Sequence, residues 1–461
     1  MPRKLLYLFI LVLASCGKEE KKSPGVFFAG EIVNPTNDYV VLYKGDVVID
    51  SAKLDDSNRF TFNLDSISNG LYHFFHPGEY QYLYLEQGDS LMARLNTTDF
   101  DESLVFSGIG EEINNYLINL YLLNEEEERD LFSIYYPMEP KDFERRMDSL
   151  RNLKLKTLKQ LTSEADLSEE ARDIAQANID YTYYNYKERY PYEHRKITGE
   201  PVMHKLTDEF YGYRKKVTYD TKQFTYLRPY YNFMKSHIEN LAYMGCSHEC
   251  GVKDDIVKNQ LHYNRHKLKL IDSVVREKEL KDNLFRNVAV YYLLKSRDKE
   301  ENNALFIDEF HQLSGNNRHI EEINDLYEGI RSIQPNKELP NLKVKNVEGE
   351  TVSLYDIAKG KKAVFYFWSA TYKKHYKDIT NRVSVLSKEN PQYTFVGIST
   401  ASDEVTWKGL LARENLDENL QFWSNDGITL KRTLIIDHPN KCIITEDAKI
   451  VDAFSDMYAS F

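Results

Sequence analysis

Four cysteines hold the most specific chemistry in this chain, because a thiolate can attack a disulfide, ligate a soft metal or carry a modification. They stand at Cys16, Cys246, Cys250 and Cys442. The run Cys246-Ser247-His248-Glu249-Cys250 is bracketed by Gly245 and Gly251, which places it in a loop between helices. A zinc site made of Cys246, His248 and Cys250 would lack a fourth nearby ligand and the usual paired spacing, so no metal is expected. A redox-active CxxxC is an equally weak motif. Cys442 lies in an apolar, strand-like run, where a free Cys acts as a small hydrophobe. There is no phosphate-cradling glycine loop and no HExxH stretch, and no cofactor is expected.

A second group of chemically able residues follows the strand-like run Ala363 to Trp368: Ser369-Ala370-Thr371-Tyr372-Lys373-Lys374-His375. At a helix start the dipole would lower the pKa of His375 and leave a neutral imidazole able to act as base or ligand. A base also needs a nucleophile or water and an oxyanion site, and none is legible nearby. Lys373, Lys374 and Lys377 make the loop basic, and no catalytic residue is assigned.

The surroundings of this loop are similar to the alkyl-hydroperoxide-reductase and TlpA-like branch of the thioredoxin superfamily. The resemblance is carried by Leu339-Pro340-Asn341-Leu342, Val352-Ser353-Leu354, Lys359-Gly360-Lys361-Lys362, and Phe395-Val396-Gly397-Ile398-Ser399 with Trp407 behind it. It implies that Tyr372 and His375 occupy the two cysteine positions of CxxC. Neither side chain exchanges a disulfide, so the usual chemistry is not available there. The resemblance also implies that Pro439 holds the family's cis-proline position, ahead of Cys442-Ile443-Ile444-Thr445-Glu446-Asp447-Ala448-Lys449-Ile450-Val451, with Ala448 in place of the turn glycine.

The first residues, basic at Arg3-Lys4, apolar from Leu5 to Leu13, then Ala14-Ser15-Cys16, form an export signal too short to span a bilayer. Leu13-Ala14-Ser15-Cys16 resembles the lipobox of bacterial lipoproteins, which implies lipidation of Cys16 and membrane attachment through it. Gly17-Lys18-Glu19-Glu20-Lys21-Lys22 reads as a solvated tether, and a Lys followed by acids resembles the surface-export signal of Bacteroidetes-type lipoproteins. The expected location is the cell envelope, at the surface or periplasmic face of the outer membrane. Export favours disulfides, so a structural bond between Cys246 and Cys250 is expected.

These residues must be positioned by a multidomain α+β chain. The expected layout is a signal over residues 1–15, a tether over 16–25, a β-sandwich over 26–108, a helical region over 109–335 and a thioredoxin-like α/β domain over 336–461. The β segment shows short strands, among them Tyr39 to Tyr43, Arg59 to Leu64, Leu71 to Phe75 and Leu91 to Leu95, separated by turn signals such as Asn34-Pro35 and Gly88-Asp89. It is similar to a small β domain of unknown function that precedes thioredoxin-like domains in Bacteroidetes lipoproteins. From Glu111 the period becomes helical, with stripes at Ile113, Leu117, Leu120, Leu123 and at Met147, Leu150, Leu153, Leu158, and six to ten helices are expected. The last domain reads as strand, strand, helix, strand, helix, strand, strand.

A net charge of -12 in mixed-sign stretches, with no basic aromatic-interleaved face, excludes nucleic acid as a partner. Tyr181, Tyr183, Tyr184, Tyr186, Tyr190 and Tyr192 cannot all share one helix face, and they suit either interface filling or recognition of sugars, peptides or an envelope protein. The expected function is binding or scaffolding by a lipid-anchored protein. The competing expectations are a thiol oxidoreductase using Cys246, Cys250 or Cys442, and an accessory subunit of a nutrient-uptake complex.

Overall fold

The computed structural model describes residues 25–246, 249–253, 256–414 and 416–461. The expected signal, Cys16 and most of the tether lie outside the described residues, as does His248. The chain forms two compact units, one ending at His237 and one running from Ile238 to Phe461. Among the described residues no helix is long and apolar enough to cross a membrane.

In the first unit, strand periodicity builds two four-stranded sheets. One is ordered Arg59–Leu64, Val26–Val33, Ser90–Asn96, Val105–Ile109; the other Val47–Lys53, Tyr39–Lys44, Gly70–His76, Glu79–Leu85. Arg59–Leu64 and Ser90–Asn96 alternate between exposed and buried residues, as half-buried strands must. The inward residues of both sheets form one core, in which Phe28 meets Phe60, Phe62 and Phe74 at centroid distances of 5.4, 6.0 and 5.8 Å.

Three long helices follow: Glu111–Asp130, Pro140–Glu164 and Glu169–Thr198. The expected stripes are only partly inward, since Ile113, Leu120 and Met147 are buried whereas Leu123 and Leu153 face solvent. In Glu169–Thr198 the tyrosines do not share one face, and most of them fill interfaces with neighbouring elements. Tyr181, Tyr183, Tyr184, Tyr186 and Tyr190 are all buried, because neighbours surround this helix instead of covering one stripe. Tyr190 stacks on Phe143 of Pro140–Glu164 at 4.2 Å, and Tyr184 stacks on Tyr213 at 4.7 Å.

The second unit begins within the helix Arg228–Gly245 and continues through Gln260–Val274, Lys278–Lys295, Glu300–Ser314 and Ile320–Ser332. Its sheet has seven strands, ordered Thr351–Ser353, Lys343–Lys345, Gln421–Trp423, Thr394–Ser399, Lys362–Trp368, Lys441–Glu446, Lys449–Asp456. Lys362–Trp368, Thr394–Ser399 and Gln421–Trp423 run parallel, and Lys441–Glu446 closes antiparallel on Lys362–Trp368. The first two are buried almost throughout, which matches their unbroken apolar sequence. Between Ser399 and Lys441 the expected order has too few elements, since the structure has the helix Glu404–Glu414, the strand Gln421–Trp423 and the helix Gly427–Thr433 there. A three-residue strand is too short to show a period of two.

Candidate functional site

Lys362–Trp368 lies inside the sheet and delivers its C-terminal end to the loop that precedes the helix Lys373–Glu389. Its end is held by a buried polar chain: the Trp368 indole N–H donates to Gln421 Oε1 at 3.1 Å, and Gln421 Nε2 donates to the Tyr366 hydroxyl at 2.8 Å. The loop turns on Ser369, whose carbonyl accepts from the Tyr372 N–H at 3.2 Å and whose hydroxyl donates to the Ala401 carbonyl at 3.1 Å. Tyr372, just before the helix, is 67% exposed. Burial lowers the His375 pKa, partly offset by hydrogen bonds with the Pro439 carbonyl and the Asn440 side chain. Its Nε2 is buried without a hydrogen-bond partner among the described residues.

The structure thus brings His375 and Pro439 together, with Tyr372 beside them in an open groove of about 930 Å³ that Lys374, Arg382 and Tyr458 also line. Every described peptide bond is trans, including the one before Pro439, which corrects the expected cis-proline. Spacing identifies the loop but does not select the isomer, and trans is the lower state of an X–Pro bond by about 0.5–1 kcal/mol. The groove contains no thiol among its lining residues. Cys442 is fully buried in the strand beside Tyr366, and burial, with Asp452 and Asp456 nearby, pushes its thiol up to about 12.

The expected disulfide is also corrected, since Cys246 and Cys250 are free, buried thiols. The Cys250 N–H donates to the Cys246 carbonyl at 3.2 Å, and the two sulfur atoms lie within 4.8 Å of each other. Burial and the neighbouring Cys246 thiol push the Cys250 thiol up to about 12. Such a thiol is a poor nucleophile at neutral pH. A third ligating side chain that sequence reasoning missed, His262, stands with this pair: the Cys246, Cys250 and His262 ligand atoms lie within 4.8 Å of one another.

The first unit contains a cleft of about 440 Å³ whose walls come from Gly78–Tyr82, from the helix Glu111–Asp130, from Glu169–Thr198 and from the start of Arg228–Gly245. Tyr186 is the member of the tyrosine run that reaches it; Asp101, Glu125, Asn185 and Arg228 supply polar groups. Burial, reinforced by the Glu125 charge, raises the Asp101 carboxyl above its ordinary range. No sequence signal announces this cleft, because its wall residues are far apart in the chain.

Sequence reasoning also missed Glu188. It is fully buried, accepts from Arg214 Nε and Nη2 at 2.8 and 2.6 Å, and meets His237 Nδ1 at 2.7 Å. The other His237 nitrogen meets the Tyr219 hydroxyl at 2.8 Å, so the imidazole links a buried ion pair to a phenol.

No family model matches the sequence, and no curated protein matches it either. Solved structures do. The thioredoxin domain of a thiol-disulfide oxidoreductase from Bacteroides vulgatus is 23% identical over 26% of this chain and 87% of its own, with a TM-score of 0.22. A thioredoxin-like protein from Bacteroides caccae is 13% identical over 54% of this chain and 87% of its own, with a TM-score of 0.35. A secreted disulfide oxidoreductase from Mycobacterium tuberculosis is 22% identical over 24% of this chain and 80% of its own, with a TM-score of 0.21.

Proposed function

We propose that this chain is a lipid-anchored cell-envelope protein that works by binding, with a C-terminal thioredoxin-like domain that has lost its thiol chemistry. The observation that carries this reading is the pair Tyr372 and His375, one exposed phenol and one half-buried imidazole, at the helix start where thiol exchange needs thiolates. The cleft of the first unit supports it further. A tyrosine face with carboxylate, amide and guanidinium groups suits a polar ligand such as a sugar or peptide. Cys16 would be the lipid attachment point, and the outer membrane, at its surface or periplasmic face, the location.

Insulin reduction by the soluble chain lacking residues 1–16 tests the reading directly. Turnover no faster than a buffer control is expected, and robust turnover overturns it. A second reading, a thiol oxidoreductase, draws support from one observation, the side-by-side free thiols of Cys246 and Cys250. Native thiol titration separates the two. The binding protein shows no rapidly reacting thiol, whereas the enzyme shows one. Recovery of a stable envelope partner from detergent-solubilised membranes would mark the chain as an accessory subunit of a larger complex.

A further inference from the structure

We propose that Cys246, Cys250 and His262 form a binding site for a borderline-soft divalent metal ion, with Zn²⁺ as the fitting occupant. Their ligand atoms converge within 4.8 Å, and both cysteines are buried while His262 is partly open to solvent, which leaves an ion a way in. Two thiolates and an imidazole are the donor set that zinc prefers, whereas magnesium and calcium require oxygen ligands.

Main-chain bonds assemble the cluster before any ion arrives. Cys246 follows the helix Arg228–Gly245, and the Cys250 N–H closes one turn back onto its carbonyl. Gly251 then takes φ +60°, a left-handed conformation that glycine adopts without strain. Beyond it Val252–Lys253 pairs antiparallel with Ile256–Val257. The Asn259 N–H donates to the Cys250 carbonyl at 3.0 Å, which ties the far end of this hairpin to the cysteine turn. Asn259 Oδ1 accepts from the His262 N–H at 3.0 Å and caps the helix Gln260–Val274, setting His262 in its first turn.

Two further side chains stand near the cluster. Glu249 Oε2 lies 3.4 Å from His262 Nε2, so with Nδ1 as the ligating atom it would act as the carboxylate that orients a ligating imidazole. His266, one helical turn past His262, has a buried Nδ1 without a hydrogen-bond partner among the described residues. Three protein ligands leave one tetrahedral position for water or a fourth donor. Strands of two residues bury little by themselves, so an ion here would stiffen the hairpin.

Binding converts each thiol to a thiolate and releases its proton to solvent, which makes affinity fall with acidification. The test uses the full chain, reduced, stripped with chelator and titrated with Co²⁺ and then Zn²⁺. About one Co²⁺ per chain is expected, with a thiolate-to-cobalt charge-transfer band and intense tetrahedral visible bands that Zn²⁺ abolishes. Cys246→Ser and Cys250→Ser each remove charge-transfer intensity, His262→Ala weakens binding, and Cys442→Ser leaves the spectrum unchanged. Where a cysteine variant fails to fold, Glu249→Gln serves instead, with about 10–100-fold weaker binding and unchanged circular dichroism. The proposal is overturned by absence of the charge-transfer band, by its survival in both cysteine variants, or by its loss in Cys442→Ser. It is equally overturned if the chain isolated from envelopes has a Cys246–Cys250 disulfide. None of these outcomes bears on the binding reading.

Discussion

Glu188 shows how one buried charge can be held. Burial alone would raise its carboxyl, but the hydrogen bonds and charges of His237 and Arg214 more than offset this and hold it at about 2. A carboxyl depressed in the folded state stabilises the fold above its unfolded pKa of about 4.3, and that stability is lost as pH falls toward 2. Glu188→Gln leaves the Arg214 charge without its carboxylate. We expect a loss of roughly 3–5 kcal/mol near neutral pH, shrinking between about pH 4.3 and 2, as read by urea unfolding across that range. A gap between variant and parent that stays constant with pH would show that the carboxylate is not the cause. At the same scale, the absence of a thiol at Tyr372 and His375 was legible, because it follows from the residue types alone. The meeting of His262 with Cys246 and Cys250 was not, because a hairpin separates them along the chain.

At the scale of elements, local rules and packing can be told apart. Ser168 caps the helix Glu169–Thr198 by accepting from the Ala171 N–H at 3.0 Å, as the sequence Ser168-Glu169-Glu170-Ala171 implies, and its hydroxyl also donates to Glu86. Ser168→Ala should therefore cost about 1–2 kcal/mol, measured as a lower urea midpoint with unchanged slope. A change in slope as well would mean that the denatured state had been altered. Gly397 is a packing case. A Cβ built there would come within 2.2 Å of Gln421 Oε1 and 2.7 Å of the Tyr366 hydroxyl, the same polar chain that holds Trp368. Gly397→Ala should cost about 1–3 kcal/mol and quench or shift Trp368 fluorescence, whereas an unperturbed spectrum would argue against that coupling. The strand Thr394–Ser399 was legible from its apolar run, but the reason for its glycine was not, since Gln421 reaches it from another strand. Ala448 has the opposite character: the replaced turn glycine was visible in the sequence, and the structure places Asp447 and Ala448 at φ 49° and 59°, where glycine carries no side-chain strain.

For the whole molecule, the N-terminal pattern makes one prediction. Cys16→Ala should move the protein from the membrane fraction to the soluble fraction and remove incorporated fatty acid, and a variant that stays with the membrane would rule out lipid anchoring. The sequence by itself determined what depends on neighbours along the chain: strand against helix period, the Ser168 cap, and the lack of thiols at Tyr372 and His375. Tertiary structure alone decided what depends on residues distant in sequence. It placed His375 against Pro439, buried five tyrosines of one helix on all sides, opened a cleft beside Tyr186, enclosed Glu188 between Arg214 and His237, and gathered Cys246, Cys250 and His262. The physical reason is range. Backbone propensity and capping act over a few residues, whereas burial and ligand geometry are set by which surfaces the folded chain brings into contact.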